Sequence, residues 1–166
     1  MNKTLKVIAL VSLQNILSAV AISIFFFFWS DYIDQVPNLN GTWYFTSTLT
    51  ETTYSKYRGL KVTYQVNLIQ DQLHITGYGE KVSEELNGVV TNYVGKDRVA
   101  IDVTANITHR YFSKDTLAMA YLETGTARKS STFQRLIRYN DDAMSGTFAS
   151  TIANSNGSVE WRRTLQ

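Results

Sequence analysis

LKVTYQVNL, residues 60–68, decides the fold. Leu60, Val62, Tyr64, Val66 and Leu68 alternate with Lys61, Thr63, Gln65 and Asn67. Successive side chains of a strand point to opposite faces, so this stretch is a half-buried strand with one apolar and one polar face. Residues 99–107 repeat it, with Val99, Ile101, Val103, Ala105 and Ile107 set against Ala100, Asp102, Thr104 and Asn106. Weaker copies run through Leu117, Met119 and Tyr121, through Phe133, Ile137 and Tyr139, through Met144 and Phe148, and through Val159, Trp161 and Leu165. Turn-forming residues punctuate them at Gln70–Gln72, Gly95–Asp97, Asn140–Asp142 and Asn154–Gly157. The expectation is an all-β domain of eight or nine antiparallel strands, a small up-and-down barrel or a sandwich. Closure would remove unpaired edges and leave room for at most one small ligand. Outside the N-terminal region, helical periodicity is confined to Lys81–Leu86.

Upstream the pattern changes. Residues 7–29 carry no charge and end in four phenylalanines and Trp29. As a helix this run rises about 34 Å, enough for a hydrocarbon core of roughly 30 Å. The expected organisation is a tail over 1–6, a transmembrane helix over 7–29, a linker over 30–40 containing the chain's single proline, Pro37, and a β domain over 41–166. The apolar run continues well past Ala19-Val20-Ala21, so it reads as an uncleaved anchor rather than a signal peptide. Ser12, Asn15, Ala19 and Ser23 share one stripe of the helix, a pattern suited to self-association in lipid. Lys3 and Lys6 precede the helix while Asp31 and Asp34 follow it, which sets the tail in the cytoplasm and the β domain on the far side.

The formal charge is +2; without Lys3 and Lys6 the rest is balanced at 14 basic against 14 acidic residues. That neutrality argues against duplex nucleic acid, which demands many phosphate contacts. From Arg110 onward there are eight basic residues against five acidic ones. The chain has no cysteine, so thiol catalysis, disulfides and cysteine-based zinc sites are excluded. No metal or cofactor set is expected. His74 and His109 fall on different strands, Gly77-Tyr78-Gly79 is too short for a phosphate loop, and Glu84-Glu85 read as a solvated turn. No catalytic constellation emerges, so the chain reads as a binding protein and not an enzyme.

By parity, four polar residues fall on apolar strand faces: Arg135 between Phe133 and Ile137, Arg163 beyond Trp161, Glu123 beyond Tyr121, and His109 beyond Ile107. An inward charge is costly unless it is paired or meets a ligand. Arg135, with donors matched to phosphate, is the leading ligand contact or else a partner of Glu123. Tyr64, Tyr121 and Tyr139 could stack on a base, and His109 joins them as a candidate.

Gly41-Thr42-Trp43 opens the first strand and Glu160-Trp161-Arg162-Arg163 closes the last. This pairing resembles the calycin, or lipocalin-like, barrel, and the resemblance implies that Trp43 and Arg163 stack to plug one barrel end. An N-terminal anchor on a small cysteine-free barrel is similar to the transmembrane β-barrel effectors of bacterial anti-phage defence, the CBASS type. That resemblance implies a barrel that senses a cyclic nucleotide, anchors that form a homo-oligomer, and disruption of the bacterial inner membrane. The chain departs from the family in having one spanning helix instead of two or more, and in a charge pattern that sets the barrel in the periplasm, away from a cytosolic messenger. The alternatives are a periplasm-facing module for a small apolar ligand and an accessory subunit of a membrane complex.

Overall fold

The structure, a computed structural model, describes residues 3–33, 36–110, 113–125 and 129–165; for residues 3–11, 30–33 and 96 it describes the backbone alone. Met1, Asn2, Asp34 and Arg128, used above in reading the tail and the charge pattern, lie outside the described residues. The chain divides into two compact units, residues 1–35 and 36–166.

The first unit is helix α1, Lys3–Ile33, which is longer at both ends than the expected 7–29. No glycine or proline interrupts it, and nothing in its sequence stops a helix before Ile33. Ser12–Trp29 is long and apolar enough to cross a membrane. Phe25, Phe26, Phe27 and Phe28 are all exposed on this unit. The Ser23 hydroxyl donates to the Ala19 carbonyl at 2.9 Å, so this polar group is satisfied within the helix.

The second unit carries β1 (Gly41–Glu51), β2 (Lys61–Asp71), β3 (His74–Leu86), β4 (Val89–Asn92), β5 (Ala100–Thr108), β6 (Thr116–Thr124), β7 (Lys129–Asn140), β8 (Ala143–Ser150) and β9 (Ser155–Arg162). Their order is β2-β1-β9-β8-β7-β6-β5-β3-β4, and β2 also pairs β3. That last pairing closes an eight-stranded antiparallel barrel of β1, β2, β3 and β5 to β9, with β4 added outside on β3. The sandwich is thereby excluded. Lys81–Leu86 is not helical; it is the end of β3, which runs past a bulge opposite Thr63 and Tyr64 to pair with β4.

The strict alternations of β2 and β5 face as expected: Val62, Tyr64, Val66 and Leu68, and Ile101, Val103, Ala105 and Ile107, are buried. Inside, an aromatic column runs along the barrel. Phe45 is stacked between Trp161 at 4.4 Å and Tyr64 at 4.6 Å, and Tyr121 lies 5.5 Å from Phe45. Each such side chain fully removed from water contributes about 1.5–3 kcal/mol.

One end is plugged by residues from the expected linker. Leu39 is fully buried. Its N–H donates to Gln70 Oε1 at 2.7 Å, and its carbonyl accepts Trp43 Nε1–H at 3.0 Å. Arg163 lies with Cζ 4.3 Å from the Trp43 ring centroid, while its guanidinium donates to the Asn38 carbonyl at 3.0 Å and to the Asn40 carbonyl. Gly41 has φ +101°, and a Cβ there would stand 3.3 Å from Arg163 Nη1. The glycine of the Gly-x-Trp triplet therefore serves both the left-handed backbone and the arginine beside it.

Two strand readings need correction. Asn156 and Gly157 are not a turn: they lie inside β9, where a Cβ on Gly157 would come within 1.9 Å of the Thr48 carbonyl oxygen. The second concerns β7. Ser130, Thr132, Gln134 and Leu136 face inward, whereas Phe133, Arg135, Ile137 and Tyr139 face outward. The cause is Trp161, whose fully buried N–H needs an acceptor and takes Gln134 Oε1 at 2.9 Å.

Candidate ligand-binding cup

At the end opposite the Trp43–Arg163 plug, the barrel is not filled. A cavity of about 120 Å³ lies between Ser47 (β1), Tyr64 (β2), Lys81 (β3), Tyr121 and Glu123 (β6) and Thr132 (β7). It shares Leu49, Leu60, Glu84, Ile152 and Ser155 with an outer vestibule of about 360 Å³. The ring geometry explains the space. Tyr64 and Tyr121 are the last aromatics of the column, with ring centroids 5.6 Å apart, and beyond them polar Ser47, Lys81, Glu123 and Thr132 mix with aliphatic Leu49, Leu60 and Val62.

Charge gathers at this mouth. Lys81 Nζ lies 3.0 Å from Glu84 Oε1 and 3.8 Å from Glu123 Oε1. The Tyr64 hydroxyl donates to Glu123 Oε2 at 2.9 Å, and the Tyr93 hydroxyl to Glu84 Oε2 at 2.8 Å. Lys81 Nζ also sits 4.6 Å from the Tyr93 ring centroid. Burial, reinforced by Tyr121 and the Glu123 carboxylate, raises the Tyr64 hydroxyl well above its ordinary value. Burial pushes Tyr121 up to about 12. Tyr93 also rises to about 12, through burial and its bond to Glu84. Ser47 Oγ, buried at 3% exposure, completes no hydrogen bond of ordinary geometry.

Of the expected ligand contacts, the structure brings only Tyr64 and Tyr121 together. Arg135 projects outward from β7 beside Thr147 and Ala118, so it neither enters the barrel nor pairs with Glu123. Tyr139 is also outside, 51% exposed, with Lys114 Nζ 3.9 Å from its ring centroid. His109 lies at the plugged end beyond β5, with Nδ1 2.7 Å from Asp115 Oδ1. Asp115 also accepts from Arg138 Nη1 at 3.1 Å. His74 is separate again, beside Asn106 Oδ1 at 3.1 Å. Among the described residues no cluster of three or more His, Cys, Asp or Glu side chains is arranged for a metal ion.

Lys81, Glu84 and Ser47 were missed. The signal for Lys81 was present: carrying the alternation of β3 onward from Ile75 through Gly77 and Gly79 turns Lys81 inward. Glu84 lies past the bulge and is a strand residue, not part of a solvated turn.

No family model matches the chain, and no curated protein matches it. Among solved structures, a redesigned β-barrel, mFAP1, bound to DFHBI, superposes with a TM-score of 0.52 at 9% identity, covering 76% of this chain and 94% of that one. Another redesigned β-barrel superposes with a TM-score of 0.50 at 12% identity, covering 76% of this chain and 92% of that one. At such identities the likeness is one of fold.

Proposed function

We propose that the chain is a membrane-anchored, non-catalytic binding protein whose barrel takes a small ligand in the cup between Tyr64 and Tyr121. The observation that carries this is the unfilled, partly polar space at one barrel end, open to a vestibule and lined by the buried Ser47 hydroxyl beside Tyr121. Eight-stranded barrels either fill with side chains or hold one small ligand, and the redesigned barrel mFAP1 carries DFHBI. Size restricts the guest. An apolar cavity of about 150 Å³ accommodates benzene, so a cup of about 120 Å³ holds a head group or fragment. A cyclic dinucleotide is many times larger and does not fit within it. The proposal includes α1 as a single-pass anchor in a bacterial inner membrane, supported by its length and apolar surface.

The test is ligand-observed NMR with a fragment library on the full chain in detergent micelles, compared with Ser47→Leu, which fills the cup. Fragments that bind the natural chain should lose binding to Ser47→Leu. Equal binding to both would remove the cup from the function.

A second reading, a membrane-disrupting effector of antiviral defence, draws on one observation: Ser12, Asn15 and Ser23 are exposed polar residues within the mostly apolar span Ser12–Trp29. An amide in lipid gains from a partner on a second helix. Induced expression in a bacterium should then arrest growth, and Asn15→Leu should relieve the arrest. Growth unaffected by the natural chain, or arrest unaffected by the substitution, removes this reading.

A further inference from the structure

We propose that the cup selects a small organic cation, an alkylammonium head group, whose charge is taken by Glu123. This rests on the cup being a binding site, and adds the class of its ligand. The charged side chains lining the cup are Lys81, Glu84 and Glu123, one cation against two anions, a net charge of −1. These side chains are only 12%, 28% and 15% exposed, so water compensates the surplus poorly. A partly desolvated charge is costly unless paired, and the sign of the surplus admits a cation and opposes an anion.

The imbalance falls on Glu123. Lys81 Nζ is within hydrogen-bonding distance of Glu84 at 3.0 Å but stands 3.8 Å from Glu123. Tyr64 satisfies one oxygen of Glu123, leaving the other, Oε1, in a looser ion pair with Lys81 at 3.8 Å. A second ammonium at Oε1 would make two carboxylates and two cations, with Lys81 kept on Glu84. The surroundings suit such a guest. The faces of Tyr64 and Tyr121 attract cations, and Lys81 itself demonstrates that preference on Tyr93 at 4.6 Å. Ser47 Oγ, buried beside Tyr121, has lone pairs that can accept a ligand N–H. The other cation of the vestibule, Lys56, is exposed, with Nζ 4.9 Å from the Tyr57 ring centroid. It is screened by solvent and leaves the inner charge as it is.

The experiment uses the full chain in nanodiscs of zwitterionic phosphatidylcholine and three probes of one shape: n-butylammonium, 1-butanol and butyrate. Binding is followed by saturation-transfer NMR. Butylammonium should bind roughly tenfold more tightly than butanol, and butyrate should not bind. Glu123→Gln, which keeps an acceptor for Tyr64, should weaken butylammonium roughly tenfold, while Lys81→Met should strengthen it. If butanol or butyrate binds as well as butylammonium, or Glu123→Gln changes nothing, the cation assignment is overturned. The cup itself stands in that case, provided Ser47→Leu abolishes the binding. If none of the probes binds, the cation proposal falls, and the fragment comparison decides the cup separately. Should a variant fail to fold, as judged by circular dichroism, the charge series on the natural chain decides alone.

Discussion

Trp43 and Trp161 each bring a buried N–H into the barrel, and each dictates a neighbour. Trp43 takes the Leu39 carbonyl, which draws residues 36–40 across the barrel end. Trp161 takes Gln134 Oε1, which turns a polar residue inward on β7. Gln134→Leu should therefore destabilise the barrel by about 1–3 kcal/mol despite adding an apolar side chain, because the indole N–H is stranded. A thermal melt measures it, and an unchanged midpoint would contradict the assigned role. Tyr64, Tyr121 and Tyr93 all hold their protons more tightly when folded than when unfolded. Their contribution is fully present below pH 10, the unfolded value, and is lost as pH rises through the folded values, since the unfolded state then sheds protons first. Stability should fall steeply from pH 10 to beyond 12, with Tyr121→Phe moving the alkaline midpoint upward. Absorbance at the phenolate band, recorded beside circular dichroism, should show the late tyrosines ionising together with unfolding; early ionisation of all ten would refute it.

Among the elements, β2 and β5 were legible because every inward position is apolar and nearly every outward one polar, so only one register satisfies both faces. β7 was not. Its inner face, Ser130, Thr132, Gln134 and Leu136, is more polar than its outer face, Phe133, Arg135, Ile137 and Tyr139. Thr132 lines the polar cup and Gln134 answers the Trp161 N–H, so hydrophobicity alone selects the wrong face. Arg135 and Tyr139, expected inside the barrel, turn outward. A direct check is Arg135→Ala, which should leave fragment binding in the cup and the melting midpoint unchanged; a large loss of binding would restore Arg135 to the site. The start of β9 was misread for a different reason. Asn156-Gly157 has turn chemistry, but its glycine answers to the Thr48 carbonyl of the adjacent strand, a long-range contact that no local pattern reports. Gly157→Ala should cost about 1–3 kcal/mol through overpacking, visible as a lower midpoint in urea.

For the whole molecule, the apolar helix and the all-β character were readable from composition and period, but closure was not. The β2–β3 pairing that completes the ring joins strands whose sequences look alike in a barrel or a sandwich. The boundary between the units was also displaced. Leu39 is fully buried, and Pro37 and Gln70 join its neighbourhood through the Gln70 Nε2–H donated to the Pro37 carbonyl at 2.8 Å. Residues 36–40 thus belong to the barrel, not to a linker. The two halves of that claim can be separated by truncation. A chain beginning at Val36 keeps the bonds from Gln70 to Pro37 and Leu39 and those from Arg163 to Asn38 and Asn40. It should remain in aqueous solution, melt cooperatively and retain cup binding. A chain beginning at Gly41 loses the Leu39 plug and the acceptor for Trp43. Burying an orphaned indole N–H and emptying the leucine site together cost several kcal/mol, against a total stability of about 5–15 kcal/mol. This shorter chain should melt far lower or not fold. Equal midpoints for the two truncations would return residues 36–40 to the role of a passive linker.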